Sequence, residues 1–139
     1  MRRRSSSSAD LRFFKLDYEK VMAELKAYAE RAVARGARAV VLIGSLSRGD
    51  YTAFSDADLV ILVDRAPANP LDRLYDYLDP TLSVDVEPRV YTIDEFMEMA
   101  ERGSRLAFEV ITHGKLLAGD AGIIERAKLL AGKRSINEA

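Results

Sequence analysis

Two short runs of consecutive apolar residues, AVVLI (Ala39 to Ile43) and LVILV (Leu59 to Val63), interrupt a chain that otherwise mixes polar and apolar positions. Their length and aliphatic, β-branched content predict strands covered on both faces, at the centre of a sheet. Ahead of them Val21, Met22, Leu25, Tyr28, Ala29 and Ala32 recur at helical spacing from Tyr18 onward, with Glu19, Lys20, Glu24, Lys26 and Glu30 on the other side. Arg31 and Arg35 suit the negative end of that helix and Gly36 supplies a stop. After the second run, Asp64 to Pro70 reads as a loop and Leu71 to Leu78 as a short helix closed by Asp79-Pro80. SVDVEPRVY (Ser83 to Tyr91) alternates and predicts a third strand, with Pro88 pointing to an edge or a bulge.

The remainder follows the same logic. Thr92 with Glu95 forms a capping box for a helix through about Glu101, which Gly103 breaks. Ser104 opens another, ending at His113-Gly114, and KLLAG (Lys115 to Gly119) predicts a last strand before a helix from Ile123 to Leu130. Tyr75 and Tyr77 read as core or interface residues, Met97 and Met99 as packing residues, and His113 as a helix-end cap. Helices interleaved with three or four strands define an α/β (α+β) domain, a small mixed β-sheet flanked by helices.

The 139 residues suffice for one domain, placed at 11–132. The arginine- and serine-rich residues 1–10 and the end, 133–139, have little to bury and are expected to be disordered tails. The formal net charge of −1 supplies no global attraction to nucleic acid. A chain without cysteine has neither disulfides nor thiolate metal sites, which suits a cytoplasmic protein. No apolar run approaches a membrane span and no signal-peptide core is present, so a membrane partner is not expected.

Candidate chemistry gathers between the two apolar runs. Asp56 and Asp58 are two residues apart at the mouth of the second strand, so their side chains share one face and lie about 6.5–7 Å apart along it. Like charges that close favour protonation of one of them, unless a cation intervenes. Mg²⁺ is held by one or two carboxylates together with substrate phosphates, and this pair suits it. Gly44 and Ser45 follow the first strand directly, where bare backbone, a hydroxyl and amides can approach phosphate oxygens. Arg48 adds a permanently charged, two-pronged donor. A third carboxylate for two-metal chemistry comes from Asp85 or Glu87, which share a face opposite Val84 and Val86; Asp85 is preferred for its valine neighbours. Taken singly, each residue has a plain reading: a turn, a surface arginine paired with Asp50, a turn aspartate. Their joint spacing favours a site.

Gly44-Ser45, ten residues, then Asp56-x-Asp58 resembles the GSx10DxD motif of the DNA polymerase β-like nucleotidyltransferase superfamily. The fuller string GSLSRGDYTAFSDADLVILV is similar to its small prokaryotic branch, the minimal nucleotidyltransferases (MNT), with the likeness fading through Asp85 toward Phe96. The resemblance implies that Gly44, Ser45 and Arg48 hold the triphosphate, and that Asp56, Asp58 and Asp85 hold two Mg²⁺, with Asp85 readying the attacking oxygen. It implies transfer of a nucleoside monophosphate, most often AMP from ATP, to an acceptor hydroxyl with release of pyrophosphate. Minimal members often adenylylate and silence a helical HEPN protein in toxin–antitoxin pairs, and a HEPN-type partner is implied here too. The rival class is a non-catalytic nucleotide-binding or scaffold protein that neutralises its partner by binding. An RNA-tailing role is disfavoured by the lack of a basic face with interleaved aromatics. A homo-oligomer is compatible with the sequence.

Overall fold

A computed structural model of the chain describes residues 8–51 and 55–138, with side chains described for 18–51 and 55–133. Residues 1–7 of the expected tail, and residues 52–54 within the motif, lie outside the described residues.

Four strands form one mixed sheet in the order β3-β2-β1-β4, with β1 Ala39–Ile43, β2 Ala57–Val63, β3 Val86–Thr92 and β4 Lys115–Gly119. β1 runs antiparallel to both β2 and β4, whereas β2 and β3 are parallel. The two apolar runs are the two central strands, and β1 is buried along its whole length, as continuous apolar character requires. β2 begins earlier than its apolar run, at Ala57, and so takes Asp58 into the sheet beside Ile43.

Each face of the sheet has its own core. On one side Val40, Leu42, Leu59 and Ile61 pack against Leu25, Tyr28, Ala29 and Ala32 of α1 (Ser8–Ala34). On the other side Val41, Ile43, Val60 and Leu62 meet Phe96, Met97, Met99, Ala107, Val110 and Ile123. These come from α3 (Ile93–Glu101), α4 (Arg105–His113) and α5 (Ala121–Glu138). A short helix, α2 (Ser45–Arg48), follows β1 directly.

Several elements differ from the sequence expectation. The backbone of α1 starts at Ser8, well before Tyr18, and α5 continues to Glu138 beyond Leu130, so helix reaches into both segments expected as tails. The short helix at 71–78 is instead two 3-10 turns, Pro70–Arg73 and Tyr75–Tyr77. The first is started by the Asn69 side chain accepting from the Leu71 amide. Only Leu74 and Tyr77 of that segment pack against the core, partly buried, while Leu71, Tyr75 and Leu78 are exposed, too narrow a stripe to sustain a regular helix; Tyr75 is not a core residue. Tyr77 is half-buried, and its carbonyl accepts from the Tyr28 hydroxyl at 2.5 Å. The third strand begins at Val86 rather than Ser83, which leaves Asp85 just ahead of it.

Pro88 does lie on an edge strand, and that edge is capped by an ion pair. Arg73 donates to the Val90 carbonyl at 3.0 Å and to both carboxylate oxygens of Glu95 at 2.8 and 3.1 Å. Glu95 in turn accepts from the Thr92 amide at 2.9 Å, completing the capping box of α3. These hydrogen bonds, that from Arg73 first, lower the Glu95 pKa from 4.5 to about 2. A carboxylate whose pKa is depressed on folding stabilises the fold fully above about 4.5, and that contribution drains away as pH falls toward about 2. Glu95→Gln should therefore cost on the order of 1 kcal/mol at neutral pH, after discounting for its solvent exposure, and nothing near pH 2. Urea midpoints of both proteins across that range measure the difference.

Candidate active site

The site is built at the end of the sheet where β1 stops and β2 starts. Gly44 leaves β1 with φ 81° and ψ −160°, a conformation reserved in practice for glycine. It also lies directly against Asp58: a Cβ at position 44 would come within 2.5 Å of Asp58 Oδ2. The glycine of the Gly-Ser pair thus serves both the turn and the close approach of a carboxylate. Ser45 opens α2 and its hydroxyl donates to Ser55 Oγ at 3.0 Å, bridging the two ends of the loop that separates the paired motif halves. Tyr18 of α1 stacks on Tyr51 of the same loop, with ring centroids 4.7 Å apart and planes 10° from parallel.

Arg48, at the end of α2, is held on two sides. Its Nη1 donates to Glu109 Oε2 at 2.6 Å, and Nε lies 3.5 Å from Asp50 Oδ2. The bond to Glu109, more than any other influence, raises the Arg48 pKa above its ordinary value, so the guanidinium is charged at every relevant pH. Glu109 Oε2 also accepts from the Gly44 amide at 3.3 Å. Ser47 donates to the carbonyl of His113, tying α2 to the end of α4. The His113 ring itself is exposed.

The register settles on which face the acidic residues lie. In the parallel β2–β3 pair, Ala57 lies beside Val86, Asp58 beside Glu87 and Val60 beside Arg89. Side chains alternate, so Asp58, Glu87 and Arg89 share the face that carries α3, α4 and α5, while Val86 joins the α1 core with Val84. The pairing continues one step beyond the strand start, since the Ala57 amide donates to the Asp85 carbonyl at 2.8 Å. Asp85 is accordingly beside Asp56 in register, and both are exposed. The loop that presents Asp85 is anchored upstream, where Ser83 donates from its amide and its hydroxyl to Glu24 of α1, each at 2.8 Å.

Of Asp56, Asp58, Asp85 and Glu87, Asp58 is the most sheltered, with 27% of its side chain exposed, and Arg89 Nη1 lies 3.8 Å from its Oδ1. Among the described residues no three acidic, histidine or cysteine side chains stand close enough together to hold a metal ion. The donor set nevertheless suits a hard cation: Asp56 and Asp58 offer oxygen ligands from alternate residues of one strand end, beside donors for phosphate.

The sequence singles out Gly44, Ser45, Arg48, Asp56, Asp58 and Asp85 as candidates. It does not single out Glu109, Arg89 or Ser55. Glu109 reaches the site from α4, far along the chain, and no motif marks it. Ser55 sits inside the ten-residue interval, whose contents the motif does not specify.

The segment that carries this turn, the strand pair and the carboxylates falls within the match to a known family. The nucleotidyltransferase domain family matches residues 23–116, from α1 through the start of β4, and the chain belongs to it. A bifunctional uridylyltransferase/uridylyl-removing enzyme from Methylococcus capsulatus is 32% identical over 105 residues, which is 71% of this chain. The chain spans only 12% of the length of that relative. Among solved structures, a toxin–antitoxin with AMP-PNP aligns at a TM-score of 0.53 and 23% identity, covering 81% of this chain and 86% of the other. A mutant of the toxin–antitoxin MntA-HpeT aligns at 0.52 and 20% identity, covering 84% and 86%. The shared fold is that of a nucleotidyltransferase. No helix among the described residues is long and apolar enough to cross a membrane.

Proposed function

We propose that the chain transfers a nucleoside monophosphate, AMP from ATP, to an acceptor hydroxyl and releases pyrophosphate, and that the acceptor lies on a HEPN-type helical partner which the transfer silences. The observation that carries this reading is the contact between the Gly44 turn and Asp58, which puts a phosphate-approach point directly against a metal-type carboxylate. The neighbour solved with AMP-PNP, a toxin–antitoxin, supports an adenine nucleotide as ligand and a toxin as partner.

In this mechanism the Gly44 amide, the Ser45 hydroxyl and Arg48 bind the triphosphate, and Arg48 offsets its charge with a guanidinium that does not titrate. Asp56, Asp58 and Asp85 would hold two Mg²⁺, which supply positive charge to the attacking and leaving oxygens. The acceptor oxygen forms a bond to the α-phosphorus as the α–β bridging P–O bond breaks. The pyrophosphate leaves with that bonding pair, and Asp85 takes the acceptor proton. The protein's own contribution is positioning, because the turn and the strand ends are fixed by the sheet.

Titration calorimetry with ATP, with and without Mg²⁺, followed by transfer of labelled nucleotide from ATP to a purified HEPN-type protein, tests the proposal. Metal-dependent binding and label on the partner are expected, both lost in Asp56→Asn. Binding that neither metal nor the substitution alters, with no labelled partner, would leave a scaffold in place of an enzyme.

A further inference from the structure

The Gly44 amide and the Arg48 guanidinium already have an anion on them, and it belongs to the protein. A single oxygen, Glu109 Oε2, accepts from both, at 3.3 Å and 2.6 Å. We propose that Glu109 is an internal competitor for the triphosphate, a carboxylate seated on the phosphate donors that sets how tightly nucleotide binds. The inference rests on the nucleotide reading above and deepens it.

A carboxylate oxygen and a phosphoryl oxygen make the same demand on these donors. Gly44 has one N–H, and the Arg48 Nη1 bond to Glu109 is short and charge-assisted, so neither is available at full strength while Glu109 stays. A bound triphosphate would also bring several negative charges beside the Glu109 carboxylate, which adds repulsion to competition. Release needs little of the protein. Glu109 is 26% exposed and Arg48 36%, so the pair sits at the rim of the site, where a side-chain rotation frees the donors. α4 itself need not move: Ala107 and Val110 are buried against the sheet, and His113 is tied to Ser47. Arg48 keeps a second anchor through Asp50 when Glu109 departs.

This role predicts the opposite sign from a supporting one. If Glu109 merely oriented Arg48 for phosphate, removing its charge would weaken nucleotide binding. As a competitor, its neutralisation strengthens binding. Glu109→Gln preserves shape and removes the charge. Calorimetry with Mg²⁺ and AMP-PNP should show a Kd about tenfold lower than that of the unsubstituted protein, with Glu109→Ala moving the same way. In nucleotidyl transfer the KM for ATP should fall while kcat stays within about twofold, because the competitor acts on the ground state. Inorganic tripolyphosphate, which lacks the base and sugar, should show the same tightening. Unchanged or weaker binding in both variants, beside an unsubstituted protein that binds normally, overturns the competitor and leaves the nucleotide reading standing. No binding of AMP-PNP or tripolyphosphate by any of the three proteins overturns the nucleotide reading itself, and the competitor with it.

Discussion

Asp58→Asn should leave the fold intact and lower nucleotidyl transfer by roughly a thousandfold or more. Asparagine is nearly isosteric with aspartate, and the site is partly open, so the sheet and the Gly44 turn tolerate the change. What disappears, on the proposed mechanism, is the charge with which this strand end would carry a divalent cation. Asp58 is the acidic residue best placed for that task. It lies within the sheet rather than ahead of it, beside Ile43 in register, and its carboxylate rests against the backbone where phosphate would arrive. Single-turnover transfer of labelled nucleotide measures the loss, and an unchanged thermal midpoint excludes unfolding as its cause. Full activity in Asp58→Asn would remove the carboxylates from the mechanism altogether.

Gly44→Ala is the second large effect, and it should strike stability and activity together. An L-residue at φ 81°, ψ −160° occupies a region that costs about 1–3 kcal/mol for any side chain. The added methyl group also meets Asp58 Oδ2 at 2.5 Å, nearer than any real Cβ contact, so the carboxylate must swing aside. The expected result is a loss of about 2 kcal/mol in urea unfolding, together with transfer reduced as severely as in Asp58→Asn. A variant that lost stability but kept activity would show that Asp58 works from another position.

The elements legible in the sequence were those whose physics is local or strictly periodic. AVVLI became β1 residue for residue because a five-residue aliphatic run has no exposed face to offer, and KLLAG became β4 between Gly114 and Asp120. The Thr92–Glu95 capping box formed as its spacing dictates. Pro88 marked an edge strand because it has no amide to give a neighbour. The motif brought Gly44 and Asp58 into contact across an antiparallel strand pair. The misses were long-range or lacked periodicity. Residues 71–78 have helical composition but bring only Leu74 and Tyr77 to the core, so they settled into 3-10 turns. The start of β3 depended on its pairing with β2, which places Asp85 beside Asp56 but outside the strand. Glu109 could not be read at all, since its meaning comes from the packing of α4 against the end of β1.

The capped border of β3 has a bearing on how the molecule meets other molecules. Three successive positions facing away from β2 are already spoken for: Pro88 has no N–H, the Val90 carbonyl belongs to Arg73, and the Thr92 amide belongs to Glu95. A foreign strand arriving there would find its ladder interrupted at each of the three, so edge-to-edge sheet growth between copies is opposed by one sheltered guanidinium and one carboxylate.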